Sequence, residues 1–593
     1  MNIAKKTIAD NIEDRNVDNL NCSAFESLGR TTIDYKTFFE LVDVYAKGFK
    51  ELGVNEGDIV TICSAGTLDT VINFFALNKI GAVAQFVNPN YFKFNSKKYI
   101  NETNSKFFIC LDRFYPLIKD ALKETNVKRV LLSSISEYSS LLYKVLARKK
   151  HISDKDKIDG VEYMDLSTFT KIGENSSIKL ERLPYKPERP AVITYTSGTT
   201  GNPKGVLHTN DGINSMISIY NDTNGFGLAG DCRNLILIPP MYLTSLVHSI
   251  ITPLAMGTTN ILQPVYNPET LGDDLKEWEP KLVVASKAHY LNLEKSRLPK
   301  GSLYKTTSAY CGGEAISKST AIRIDKVLEY FGIPPMIIGY GQTEFGTMAM
   351  FSNYIPDRTN ESGMLLPNVK AKIIDQVTGK PVENGKRGLL YISTPAIMKE
   401  YINNPEATEE FFSKDEDGTI WGKTGDIAEI KYQHDGKNVY EVSGRASDSF
   451  VDENGNVVYL FDIENQVEDI QYVNQAEVVS VTLDDGKKVP IVHVILDKKA
   501  RRIGEDIIKL IDATLKVNIK NSNAIPYAYK LRDSFATSPI SGKRDYAILK
   551  YETDDFLKVD ENGDIIPITI DSKESKESND LVKSRIMVKK TTL

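Results

Sequence analysis

The chain has 593 residues, 41% of them hydrophobic and 26% charged, with a formal net charge of −6. That length exceeds one ordinary hydrophobic core and implies two or more domains, while the acidic balance gives no basis for nucleic-acid binding. Five cysteines (Cys22, Cys63, Cys110, Cys232, Cys311) lie scattered without C-x-x-C spacing, which suggests neither a disulfide framework nor a zinc site and fits a reducing cytoplasm. The N-terminus, M-N-I-A-K-K-T-I-A-D, lacks the apolar segment of a signal peptide, and no run approaches the roughly eighteen apolar residues of a membrane span. The expectation is a cytoplasmic protein.

From Tyr35 onward apolar side chains recur at Phe38, Val42, Tyr45, Phe49 and Leu52, steps of three and four that make one helical face closed by Gly53. Ile59 to Ser64 reads as a short strand, Leu68 to Ile80 as a second amphipathic helix ended by Gly81, and Val83 to Val87 as another strand. This alternation predicts a largely parallel sheet covered by helices. Between Tyr138 and Asp156, Leu141, Leu142, Val145 and Leu146 stand beside Lys144, Arg148, Lys149 and Lys150. Such a helix could touch an anionic membrane surface, although packing of its apolar face on the protein body is the favoured alternative.

Ala191 to Ile193 is a β-rich run that leads into T-S-G-T-T-G-N-P-K-G, Thr196 to Gly205. Its glycines let backbone N–H groups point inward, its hydroxyls add donors, and Lys204 adds a mobile positive charge, a set that suits a polyphosphate. It is not a Walker A loop, which counted from Gly198 would need Gly at Pro203 and Ser or Thr at Gly205. Leu235 to Tyr242, L-I-L-I-P-P-M-Y, reads as a buried strand stopped by two prolines. Next come A-Y-C-G-G-E-A from Ala309 and I-I-G-Y-G-Q-T-E-F-G from Ile337; the second sets an aromatic face, a hydroxyl and a carboxylate at the C-terminal end of a strand, where ligands of α/β sheets gather. W-G-K-T-G-D ends at Asp426, G-R-A-S-D begins at Gly444, and S-G-K ends at Lys543. Beyond Asp554 the text is polar and rich in Ser, Lys and Glu, the composition of a flexible tail.

In this order, over about residues 30 to 550, the motifs resemble those of the AMP-forming adenylating superfamily, and most of all its acyl-CoA synthetases. The resemblance implies an α/β fold: a large N-terminal domain of sheets covered by helices over 1–444, a small mobile α+β lid over 445–553, and a tail over 554–593. It implies an enzyme that activates a carboxylic acid, a fatty acid first, as acyl-AMP with release of pyrophosphate and passes the acyl group to CoA, using ATP and Mg²⁺.

Carried over residue by residue, Thr196, Ser197, Gly198, Thr199, Thr200 and Lys204 would cradle the phosphates. Gly312, Gly313 and Glu314 would lie along the adenine, with Tyr340 stacked on it beside Gly341. Thr343 would contact the α-phosphate, Glu344 would hold Mg²⁺, Asp426 would accept both ribose hydroxyls, and Arg445 would reach ribose and phosphate. Lys543 matches the catalytic lysine, with Tyr546 where relatives have Arg; Ser447 stands at the hinge, where relatives carry Asp or Lys. Tyr242 falls between acyl pocket and thiol tunnel, and Phe345 and Gly346 fall beside the substrate. The alternative readings are an adenylation enzyme that loads an aryl or amino acid onto a carrier protein, and a non-catalytic nucleotide-binding paralogue. No acidic residue occurs from Pro239 to Leu254, so a substrate ammonium entering there would be unpaired. The expected acid is therefore neutral-tailed, fatty first and aryl second.

Overall fold

The structure, a computed structural model, describes residues 2–27, 31–92, 97–135, 137–138, 156–196, 203–223, 232–264, 267–313, 316, 318–352, 363–497, 500, 504–535, 549–550, 552, 554–570 and 572–573. They divide into two compact units, the first of residues 1–316, 320–424 and 429–441, the second of 317–319, 425–428 and 442–593.

In the first unit the expected helix runs Tyr35–Glu51. Asp34 caps it by accepting from Thr37 N–H at 2.7 Å, and Phe38, Val42, Tyr45 and Phe49 face the core. The strand and helix that follow are Ile59–Cys63 and Leu68–Lys79, then the strand Val83–Phe86. These strands lie in an eight-stranded sheet, in spatial order Glu400–Tyr401, Gly205–Thr209, Pro190–Tyr195, Val83–Phe86, Ile59–Cys63, Phe107–Leu111, Arg129–Ser133 and Glu162–Asp165. From Pro190–Tyr195 to Glu162–Asp165 all pairings are parallel, and the central strands are buried along nearly their whole length, as a sheet covered on both faces requires.

A second sheet sets Thr259–Leu262, Arg233–Ile236, Leu282–Val284, Ser308–Gly312 and Ile337–Tyr340 side by side, all parallel. Arg233–Ile236 is shorter than the sequence suggests. Pro239 and Pro240 offer no N–H to a neighbouring ladder, so the strand stops before them and the chain passes into a wide π-helical turn, Ser245–Ile251, and then Thr252–Ala255.

The second unit has helices Leu460–Glu468 and Asp506–Asn518 against a five-stranded sheet: Val473–Thr482, Lys488–Leu496, Ala528–Arg532, Phe556–Val559 and Ile565–Ile568. Ile463, Val467, Val478, Val492, Ile508, Ile511, Leu515 and Tyr529 form its core. The last two strands correct the tail expected from residue 554. Their turn, D-E-N-G-D, is locked by Asp560, whose Oδ1 accepts from Asn562 N–H at 2.9 Å and Asp564 N–H at 2.8 Å, and Phe556 is fully buried. Residues 574–593 lie outside the described residues, as does 139–155 of the basic stretch. Among the described residues no helix is long and apolar enough to cross a membrane.

Candidate active site

The neck of the anion loop is closed by its own backbone: Thr196 N–H donates to Lys204 O at 3.0 Å, and Lys204 N–H to Thr196 Oγ1 at 3.3 Å. Ser197, Gly198, Thr199 and Thr200 lie outside the described residues. The strand Gly205–Thr209 leaves the loop, pairs antiparallel with Pro190–Tyr195, and on its other edge takes Glu400–Tyr401, with Tyr401 opposite Val206. That register brings Lys204 Nζ to 4.7 Å from the centre of the Tyr401 ring, a cation–π distance. The Tyr401 hydroxyl in turn donates to Glu344 Oε1 at 2.7 Å. Loop lysine and motif carboxylate are thus joined through one phenol.

Thr343–Phe345 is a single 3-10 turn at the end of the Ile337–Tyr340 strand. Gln342 Nε2 donates to Thr424 O at 2.8 Å, Met398 N–H to Glu344 O at 2.7 Å, and His208 Nε2 to Thr343 O at 2.7 Å. Burial pushes the His208 imidazole down to about 4, so the ring is neutral and carries one N–H. The glycines here are steric requirements. A Cβ on Gly312 would stand 2.6 Å from Gly339 O, and one on Gly341 would stand 1.7 Å from Thr347 O. Gly313 (φ +78°) and Gly346 (φ +74°) take left-handed backbone, and a Cβ on Gly346 would also strike Ala396. Tyr340 is half-buried at the strand end; Glu314 lies outside the described residues.

With Oε1 taken by Tyr401, one carboxylate oxygen of Glu344 remains for a cation. No group of three or more His, Cys, Asp or Glu side chains suited to a metal occurs among the described residues. This donor set suits Mg²⁺ carried in with a nucleotide, for which one carboxylate plus phosphate and water oxygens is the usual arrangement, rather than an all-protein cage.

Tyr242 is 37% exposed, and Asn88 Nδ2 donates to its hydroxyl at 3.3 Å. Phe345 is fully buried, its ring 5.5 Å from that of Phe411 and packed over Gly422. Met350 and Leu243, near the same motifs, are buried too. In the second unit Arg445 Nε lies 3.1 Å from Asp426 Oδ1, an ion pair in which the Asp426 side chain is 8% exposed. Ser447 is exposed in the 3-10 turn Ala446–Asp448. Lys543 lies outside the described residues. Sequence reasoning missed Tyr401, Gln342 and His208. Each acts on a motif 57 to 135 residues away or, for Gln342, on a backbone oxygen 82 residues away, and no local spacing signals such a contact.

The sequence pattern described as AMP-binding enzyme matches residues 15–402. A protein named putative acyl-CoA synthetase YngI, from Bacillus subtilis (strain 168), is 25% identical over 455 residues, covering 75% of this chain and 80% of its own. 4-Coumarate–CoA ligase 1 of Arabidopsis thaliana is 26% identical over 398 residues, covering 65% of each chain. The crystal structure of ATP-bound MatB from Rhodopseudomonas palustris superposes with a TM-score of 0.75 at 20% identity, covering 91% of this chain and 98% of that one. The large sheet domain and smaller second domain are the fold of the adenylating enzymes, and with residues 15–402 matched, the chain belongs to the AMP-binding enzyme family.

Proposed function

We propose that the protein is an ATP-dependent acid–thiol ligase: ATP and a carboxylic acid give acyl-AMP and pyrophosphate, and acyl-AMP and the CoA thiol then give acyl-CoA and AMP. The observation that carries this reading is the Lys204–Tyr401–Glu344 chain, which fixes a phosphate-loop cation against a metal-competent carboxylate. The acid is its own nucleophile, so the protein's part is to position the reactants and neutralise charge at the α-phosphate. Lys204 and the loop N–H groups hold the phosphates, Thr343 donates to the α-phosphate, and Lys543 adds a positive charge there. Mg²⁺, when bound through Glu344, offsets the charge of the phosphate oxygens. Asp426 and Arg445 hold the ribose.

The proposed acid is neutral-tailed, a fatty acid, since Pro239 to Leu254 holds no carboxylate for an ammonium. An aryl acid is the second reading, favoured by the relative named for 4-coumarate. Pyrophosphate release across fatty, aryl and amino acids, with and without CoA, tests both. Release driven only by amino acids would overturn the proposal, as would turnover with a carrier protein and none with CoA.

Asp426→Ala is expected to weaken ATP and AMP binding about 10- to 100-fold, the worth of a charged hydrogen bond of about 1.5–3 kcal/mol. Calorimetric titration measures it, and unchanged affinity would remove Asp426 from the nucleotide site. For the second step Lys543 has to withdraw, and the proposed pivot is Ser447. Proline fixes φ near about −65°, close to what a 3-10 turn uses, so Ser447→Pro should hold the present backbone there. One half-reaction should survive and the other fall; equal rates in both would place the pivot elsewhere.

A further inference from the structure

The Thr343 carbonyl is held by a side chain that the reaction scheme above leaves unused. His208 is fully buried, its Nε2 lies 2.7 Å from that oxygen, and its Nδ1 is buried without a hydrogen-bond partner among the described residues. An orphaned acceptor is a net cost to a fold, and an apolar side chain of similar size would pack at this position without it. The carbonyl does not need the imidazole for satisfaction either, because Gly346 N–H already reaches it at 3.2 Å. What the histidine adds is a second, directional tie.

The turn needs such ties. It is followed by Gly346 at φ +74° and then Thr347 at φ +115°, a backbone angle that a β-branched residue adopts only when its surroundings impose it. Strand alternation turns Val206 and His208 to one face of the strand Gly205–Thr209, and the phosphate-loop Lys204 immediately precedes that strand, so the lysine stands at one end of it and this tie near the other. Tyr401 and Met398 hold Glu344 from the neighbouring strand edge, and His208 holds Thr343.

We propose that His208 is a positioning residue of the acid-activating step: its Nε2–H fixes the Thr343 carbonyl, and with it the spacing of the Thr343 hydroxyl and the Glu344 carboxylate from Lys204. This inference rests on the adenylating reading of the site. Misplacement of a reacting group by about 1 Å costs on the order of 10²-fold in rate.

The test compares His208→Leu, which keeps the volume and removes the N–H, with His208→Gln, whose amide N–H reaches toward the same oxygen. His208→Leu should melt no lower than the wild type, because the orphaned Nδ1 is gone. Its kcat for acyl-AMP formation should fall about 10²-fold with KM for ATP little changed. His208→Gln should recover most of that loss, and CoA transfer from supplied acyl-AMP should be unaffected in both. Unchanged kcat in His208→Leu would overturn the proposal, and so would a lowered melting temperature with both half-reactions falling together. Should the leucine variant not fold, His208→Met carries the same comparison against His208→Gln. A wild-type protein that forms acyl-AMP with no acid of the panel would overturn the adenylating reading itself, a result distinct from any difference among the His208 variants.

Discussion

Glu344→Gln is expected to slow acyl-AMP formation by about 10²- to 10³-fold, the usual effect of removing one preorganised charge from a reacting phosphate. The amide still offers an oxygen to the Tyr401 hydroxyl, which now sits 2.7 Å from Glu344 Oε1, so the turn should persist and thermal unfolding should change little. What is lost is the anionic oxygen that a cation needs. The Mg²⁺ concentration required for half-maximal rate should rise, and Mn²⁺ bound in the presence of ATP, followed by water-proton relaxation, should weaken in parallel. A normal metal titration in this variant would take the metal role away from Glu344.

Lys543→Ala should cost the same step about 10²- to 10³-fold and spare the other. A lysine supplies a compact, mobile point charge, suited to a phosphate whose charge is building and equally suited to leaving once acyl-AMP is made. Single-turnover pyrophosphate release measures the first step, and acyl-CoA formation from supplied acyl-AMP measures the second. Equal losses in the two would mean that Lys543 serves the fold. The pair of variants also separates two kinds of charge, since only the Glu344 change should alter metal dependence.

The N-terminal sheet was legible because its helices carry a strong period. Phe38, Val42, Tyr45 and Phe49 recur at three- and four-residue steps, and all are buried on one face. The glycine motifs were legible because close backbone approach leaves no other residue possible, as Gly312 and Gly341 show. The π-helical turn Ser245–Ile251 was not, since its seven buried residues have no periodicity to distinguish them from a strand continuing past Ile236. The strands Phe556–Val559 and Ile565–Ile568 were hidden by the polar text around them, although D-E-N-G-D between two short apolar runs is itself a hairpin signal. Tyr401 and His208 escaped for a different reason. Their importance comes from strand register, which brings Tyr401 beside Val206 and aims His208 at Thr343, and register is decided only when the sheet assembles.

The steric closure around Gly312, Gly341 and Gly346 separates two kinds of information in the A-Y-C-G-G-E-A and Y-G-Q-T-E-F-G motifs. A Cβ at any of the three meets backbone or a neighbouring side chain, so these positions are constrained by folding alone, whatever chemistry the protein performs. A descendant that had lost catalysis would still spell the glycines, and a search by motif would still find it. Glu344 and Tyr401 carry the opposite message: their hydrogen bond spans 57 residues, and neither side chain is demanded by the backbone around it. In a deep mutational scan selected for folded protein, the glycines should be intolerant and the Glu344–Tyr401 pair permissive. Selected for acyl-AMP formation, both should be intolerant, and the difference between the two maps would distinguish the scaffold's signature from the enzyme's.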